Sequence, residues 1–185
     1  IDALVEALWG DAPPGRHRVS IRSYVSNLRQ LLEPDRRRAE ASMISPQPGA
    51  YTLHLPFGAL DSWSFERDID AAQEAVDPSL RLARVQRGLA RWRGEPFAEA
   101  VGVGFADAAR LRLLTLRRAA MELEIESLLD IGSVRESIAA AEAFVADDPL
   151  SEVGWRQVLV GLARAGREGG EEGAGRRGGA REERG

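Results

Sequence analysis

The stretch Arg16-His17-Arg18-Val19-Ser20-Ile21-Arg22-Ser23-Tyr24-Val25-Ser26-Asn27-Leu28-Arg29-Gln30-Leu31-Leu32 decides how the chain is read. Ile21, Val25, Leu28 and Leu32 fall on one side of a helix, and Glu33-Pro34 stops it, because proline disfavours helix for the residue before it. On the other side, Arg22, Ser26 and Arg29 form one i, i+4, i+7 stripe, and Ser23, Asn27 and Gln30 form the adjacent one. Arg, Asn and Gln carry the paired donors and acceptors that match guanine and adenine edges, and the B-DNA major groove, about 12 Å wide, admits one α-helix. A polar face with arginines is also what any surface helix carries, so the neighbouring segments decide between the two readings.

Upstream, Ile1, Leu4, Val5 and Leu8 mark a first amphipathic helix that Gly10, Pro13, Pro14 and Gly15 end. Downstream, two short strand-like pieces between Met43 and Leu55 flank Pro46-Gln47-Pro48-Gly49, which predicts a hairpin confined to a sheet edge by its prolines. The order helix, turn, polar-faced helix, hairpin is that of a winged helix-turn-helix. Charge agrees locally. The formal net charge is -4, yet Arg16, Arg18, Arg22, Arg29, Arg36, Arg37 and Arg38 stand against only Glu33 and Asp35, so phosphate-binding potential is concentrated here.

From Leu60 onward the periodicity is helical: Phe65, Ile69, Ala72 and Val76; Leu82, Val85, Leu89 and Trp92; Leu114, Met121, Ile125 and Leu128. Arg93 to Gly104 reads as a structured loop between helices. Gly132 opens a helix with Val134, Ile138, Ala141 and Val145, which Asp148-Pro149 closes. Trp155, Val158, Leu159 and Leu162 form the next, ending near Gly166. The two glycines lie about 34 positions apart, the tetratricopeptide period. Beyond Gly166 the chain turns to Gly, Arg and Glu without a large apolar residue, a composition expected to be disordered.

Several segments together resemble a known family. Asp2-Ala3-Leu4-Val5-Glu6-Ala7-Leu8-Trp9-Gly10-Asp11 and Ser23 to Leu32 are similar to the OmpR-like winged helix of the Streptomyces antibiotic regulatory protein family. Leu60-Asp61 through Phe65-Glu66, Arg91-Trp92-Arg93-Gly94-Glu95-Pro96 and Ala109-Arg110-Leu111 resemble that family's second part, the bacterial transcriptional activator domain built of tetratricopeptide-like repeats. The fold expected is therefore mainly α. A partial winged helix-turn-helix with a β-hairpin wing occupies 1–56, an α-helical tetratricopeptide-like repeat domain 60–166, and a disordered tail 167–185.

The resemblance implies DNA contacts from Arg22, Tyr24, Ser26, Asn27 and Arg29 on the recognition helix and from Ser45 and Gln47 on the wing. Arg18, Ser23 and Gln30 join them from the basic cluster and the polar stripes. The partners implied are double-stranded promoter DNA carrying repeats, RNA polymerase and a second copy of the chain. The role implied is activation of a secondary-metabolite gene cluster. Three positions depart from the family pattern. Ser26 and Asn27 replace residues that are usually basic, which predicts weaker phosphate affinity or a different base preference. Ala50 stands where a glycine before the tyrosine is typical, which predicts an altered turn. Family members also begin with a small sheet and a helix that cover the seams of the first two helices, so the natural product is expected to be longer. The tail reads as a frameshift in GC-rich sequence would.

Other classes find little support. There is no cysteine, so disulfides, thiolate metal sites and cysteine nucleophiles are excluded. Every basic residue is arginine, so no P-loop lysine exists, and Gly102-Val103-Gly104 lacks the remainder of a dinucleotide fingerprint. His17 and His54 have no partner at ligand or triad spacing. No catalytic, cofactor-binding or metal residue is expected. Trp63, Trp92 and Trp155 sit on apolar stripes and are expected in the core. With no signal peptide or membrane span, the expected location is the cytoplasm, on the nucleoid. The competing reading is a repeat adaptor that binds protein, or an inactive fragment of a regulator.

Overall fold

The computed structural model describes residues 1–35, 42–56, 58–100 and 102–182, with side chains as far as residue 167. Helices α1 (Asp2–Trp9) and α2 (His17–Leu32) precede strands β1 (Ile44–Gln47) and β2 (Ala50–Leu53). Then follow α3 (Asp61–Gln73), α4 (Pro78–Leu89), a 3-10 turn at Ala98–Ala100, α5 (Gly104–Asp130), α6 (Val134–Asp147) and α7 (Glu152–Glu182). The mainly helical class and the early hairpin are as the sequence predicts. Two compact units are present, Ile1–Leu60 with Glu99–Ala108, and Asp61–Ala98 with Ala109–Gly185.

In the first unit Gly10, at φ 55, ends α1. Ile21 and Val25 of α2 are buried with Ile44 of β1, and Ile1, Val5, Trp9 and Tyr51 pack around them. The lower half of the predicted seam is different: Leu28 and Leu32 stay about half exposed, as do Leu4 and Leu8 of α1. The strands are antiparallel, with Ile44 opposite Leu53 and Gln47 opposite Ala50. Pro48-Gly49 makes the turn, and the positive φ, 70°, falls on Gly49. Ala50 lies in β2 instead, so its lack of glycine's freedom costs nothing here, and the expected alteration of the turn is corrected accordingly.

In the second unit α3 and α4 form a hairpin whose contact is tight because Gly88 stands at the crossing. A Cβ there would come within 3.0 Å of Ile69 Cδ1. Asp77 caps α4 by accepting from Ser79 N at 3.0 Å, with Pro78 in the first helical turn where its missing N–H is harmless. Phe65, Ile69, Ala72 and Val85 pack against Leu113 and Ala120 of α5. Beneath them Asp68 is buried, yet it is paired: Arg87 Nη2 donates to Oδ1 at 2.9 Å, and Arg91 donates to Oδ2 from Nη2 at 3.0 Å and Nε at 3.3 Å. Burial alone would raise this carboxyl, but the hydrogen bonds and charges of Arg87 and Arg91 outweigh it and hold it below its ordinary value.

The loop after α4 is held by Arg110, which donates to the carbonyls of Pro96 at 3.2 Å and Phe97 at 3.3 Å. Phe97 itself takes φ 54, a conformation unfavourable for a side chain of this size. Ile125 and Leu129 of α5, Ala141, Phe144 and Val145 of α6, and Val158 of α7 make the second core.

Helix α7 corrects the sequence reading twice. Its buried positions are Gly154, Gln157, Val158 and Gly161, with Ser151 buried just before its start, while Trp155, Leu159 and Leu162 are more than half exposed. Close approach to α6 requires small residues inside: a Cβ on Gly154 would meet Val145 Cγ2 at 2.8 Å and Phe144 Cδ1 at 2.9 Å, and one on Gly161 would meet Ile138 Cγ1 at 2.7 Å. Trp155 is therefore turned outward, its Nε1 donating to Pro149 O at 3.0 Å, and Trp63 is likewise half exposed. Of the three tryptophans expected inside, Trp92 packs on the core. The helix also runs past Gly166 to Glu182, beyond its expected end. No proline lies in that interval to remove a backbone N–H. Gly154→Val should lower the unfolding free energy by about 1 to 3 kcal/mol through overpacking, measured by urea denaturation.

Candidate nucleic-acid interface

Helix α2 turns its buried stripe to the hairpin, and this places a continuous outward arc on the other side. Arg22, Ser23, Ser26, Asn27 and Gln30 are all exposed along it. Among the described residues none of the five is held by a hydrogen bond or ion pair, so their donors and acceptors face solvent. Val19, which the sequence reading passed over, lies in the same arc and is 56% exposed. At the helix start Arg18 is exposed and reaches Asp2 at 3.5 Å, a long surface pair worth little. Tyr24 stands to one side, its ring stacked on Trp9 with centroids 6.4 Å apart, half exposed.

Arg29 differs from its expected place. It is partly buried, and its Nε and Nη2 both donate to the carbonyl of Ile44, at 2.9 and 2.6 Å. These donors face the protein rather than outward, because position 29 lies on the flank of the helix next to Val25, within reach of β1. Arg29 thus ties α2 to the hairpin. One turn on, the Glu33 carboxylate accepts from Ser42 Oγ at 2.9 Å and Met43 N at 2.5 Å, so the entry to β1 is attached to the end of the same helix.

On the hairpin, strand alternation puts Ser45, Gln47 and Thr52 on the face opposite Ile44 and Tyr51. Gln47 is exposed. Ser45 Oγ is paired with His54 Nε2 at 2.6 Å, a contact that sequence could not show because it depends on the strand register. The wing therefore offers Gln47 freely and Ser45 through a shared hydrogen bond. Arg36, Arg37 and Arg38 of the basic cluster lie outside the described residues. Among the described residues no group of acids and histidines could hold a metal ion, and no helix is long and apolar enough to cross a membrane.

A helix with an exposed hydrogen-bonding face, a hairpin tied to its flank and a following set of antiparallel helix pairs define a winged-helix segment joined to a helical-repeat unit. Residues 60–170 match the bacterial transcriptional activator domain, and the chain belongs to that family. It is 31% identical over 169 residues to the regulatory protein AfsR of Streptomyces coelicolor, covering 89% of this chain and 16% of that protein. It is 29% identical over 181 residues to the transcriptional regulatory protein EmbR of Mycobacterium tuberculosis, covering 96% of this chain and 46% of EmbR. Among solved structures, M. tuberculosis EmbR in complex with a low-affinity phosphopeptide superposes with a TM-score of 0.79 at 28% identity, over 95% of this chain and 47% of that one. The chain thus spans less than half the length of each of these proteins.

Proposed function

We propose that this chain is a sequence-specific DNA-binding regulator of transcription, an activator in which α2 lies in the major groove and the hairpin meets the adjoining backbone. The observation that carries this is the outward arc of α2. It is made of residue types that read base edges, it is set on a helix whose other face is buried, and it adjoins a wing. Arg22 would take guanine O6 and N7, Asn27 and Gln30 would take adenine, and Arg18 would grip phosphate. Ser23, Ser26, Tyr24 and Gln47 would complete the contacts. The repeat unit would serve association with a second copy or with RNA polymerase, and target genes of secondary metabolism follow from the family resemblance.

Duplexes selected by the protein from a random pool test the reading. The observed association constant should fall linearly with salt on logarithmic axes, as counterion release requires. Arg22→Ala should weaken binding by about 1 to 3 kcal/mol and relax preference at one base pair. Binding indifferent to salt, or no selection at all, would favour a protein-binding adaptor.

A further inference from the structure

We infer that Arg29 is a positioning residue for DNA recognition: it fixes the wing relative to the recognition helix and does not grip DNA itself. The inference rests on the DNA-binding reading above and adds a role for a side chain that composition alone would assign to phosphate. Ile44 is held from two directions. Its side chain is buried with Ile21 and Val25, and its carbonyl receives two N–H groups of the Arg29 guanidinium. The preceding carbonyl, of Met43, accepts from His54 N across the hairpin, so the Ile44 carbonyl points to the free edge of β1. That edge has no third strand in the described unit, and Arg29 at 2.6 and 2.9 Å, with Ser42 Oγ farther off at 3.1 Å, supplies the donors a strand would have supplied. Glu33 repeats the attachment one turn later through Ser42 and Met43.

A protein that meets a duplex at two places loses affinity if the angle between its two contacting elements is free, because binding must then order it. With Arg29 in place, Gln47 and the Ser45–His54 pair are presented at a set distance from Arg22 and Asn27. Glutamine separates this role from a phosphate contact, since its amide nitrogen sits as many bonds along the side chain as arginine Nε but carries no charge. Arg29→Gln can therefore keep one bond to Ile44 O while losing any grip on phosphate.

The test measures affinity, salt slope and hydroxyl-radical footprint on a selected duplex for the 185-residue chain and its variants. Arg29→Ala is expected to bind about tenfold more weakly, to lose protection on the wing side only, and to keep the wild-type salt slope. Arg29→Gln is expected to stay within about threefold of wild type with the full footprint. If both variants reduce the slope by about one, Arg29 holds a phosphate and the inference is overturned. It is equally overturned if Arg29→Ala keeps wild-type affinity and footprint. In the free protein the Arg29 Nε–H should exchange slowly with water by NMR, and fast exchange overturns the clamp whatever the DNA result. If the alanine variant does not fold, the glutamine variant and the exchange rate decide. A wild-type chain that selects no DNA removes the functional reading and this role together, whereas wild-type binding with the overturning variant results removes the role alone.

Discussion

Truncating Phe144 to alanine should lower the unfolding free energy of the repeat unit by about 3 to 5 kcal/mol, the usual cost of deleting a buried aromatic side chain and leaving its cavity. Phe144 is 2% exposed and sits where three helices meet, against Ile125 and Leu129 of α5 and Val158 of α7. Relaxation into the hole is hindered because Gly154 already brings α7 against it. Arg118 also lies over the ring, 5.5 Å from its centroid, and is ion-paired to Asp148, so an outer layer depends on the same residue. Phe144→Leu should recover most of the loss. Urea denaturation followed by far-UV circular dichroism measures both, and a Phe144→Ala midpoint unchanged from wild type would refute the packing described.

Replacing Asp68 by alanine is the second large effect, about 3 kcal/mol, at the low end for breaking a buried ion pair. The low end applies because Arg87 is more than half exposed and Arg91 partly so, which lets both guanidinium groups recover water when the carboxylate is gone. The same pairing makes stability depend on acid. The Asp68 carboxyl is lowered from its ordinary value of 3.8, so the folded state holds its proton less tightly than the unfolded chain. Its contribution is complete well above pH 4, declines once pH falls below the ordinary value, and is lost as pH passes through the lower folded value. The stability gap between wild type and Asp68→Asn should therefore be wide at pH 7 and shrink toward pH 2. A gap independent of pH would mean the carboxylate is not selectively stabilised by folding.

What could be read in advance, and what could not, follows from the distance over which each feature is determined. Helix α2 and the hairpin were legible because Ile21 and Val25 repeat at a helical interval and Pro48-Gly49 supplies its own turn geometry. The inner face of α7 was not. Hydrophobic periodicity points to Trp155, Leu159 and Leu162, but the crossing with α6 is so close that Gly154 and Gly161 must occupy it, and glycine has no hydrophobic signal. The pairing of Asp68 with arginines 19 and 23 residues away exists only once α3 and α4 are docked. Arg29 shows the limit at the interface itself. Helical spacing set it on a stripe with Arg22 and Ser26, while a carbonyl 15 positions on claims its guanidinium. Ser45 and His54 likewise meet only through strand register.

Dimethyl sulfate footprinting on a selected duplex tests most directly whether the outward arc of α2 enters the major groove, because the reagent methylates guanine N7 there and adenine N3 in the minor groove. Bound protein should protect guanine N7 at a defined base pair, and Arg22→Ala should restore its reactivity while neighbouring protection persists. Protection confined to adenine N3, or guanine protection that Arg22→Ala leaves untouched, would contradict the placement of this helix on DNA.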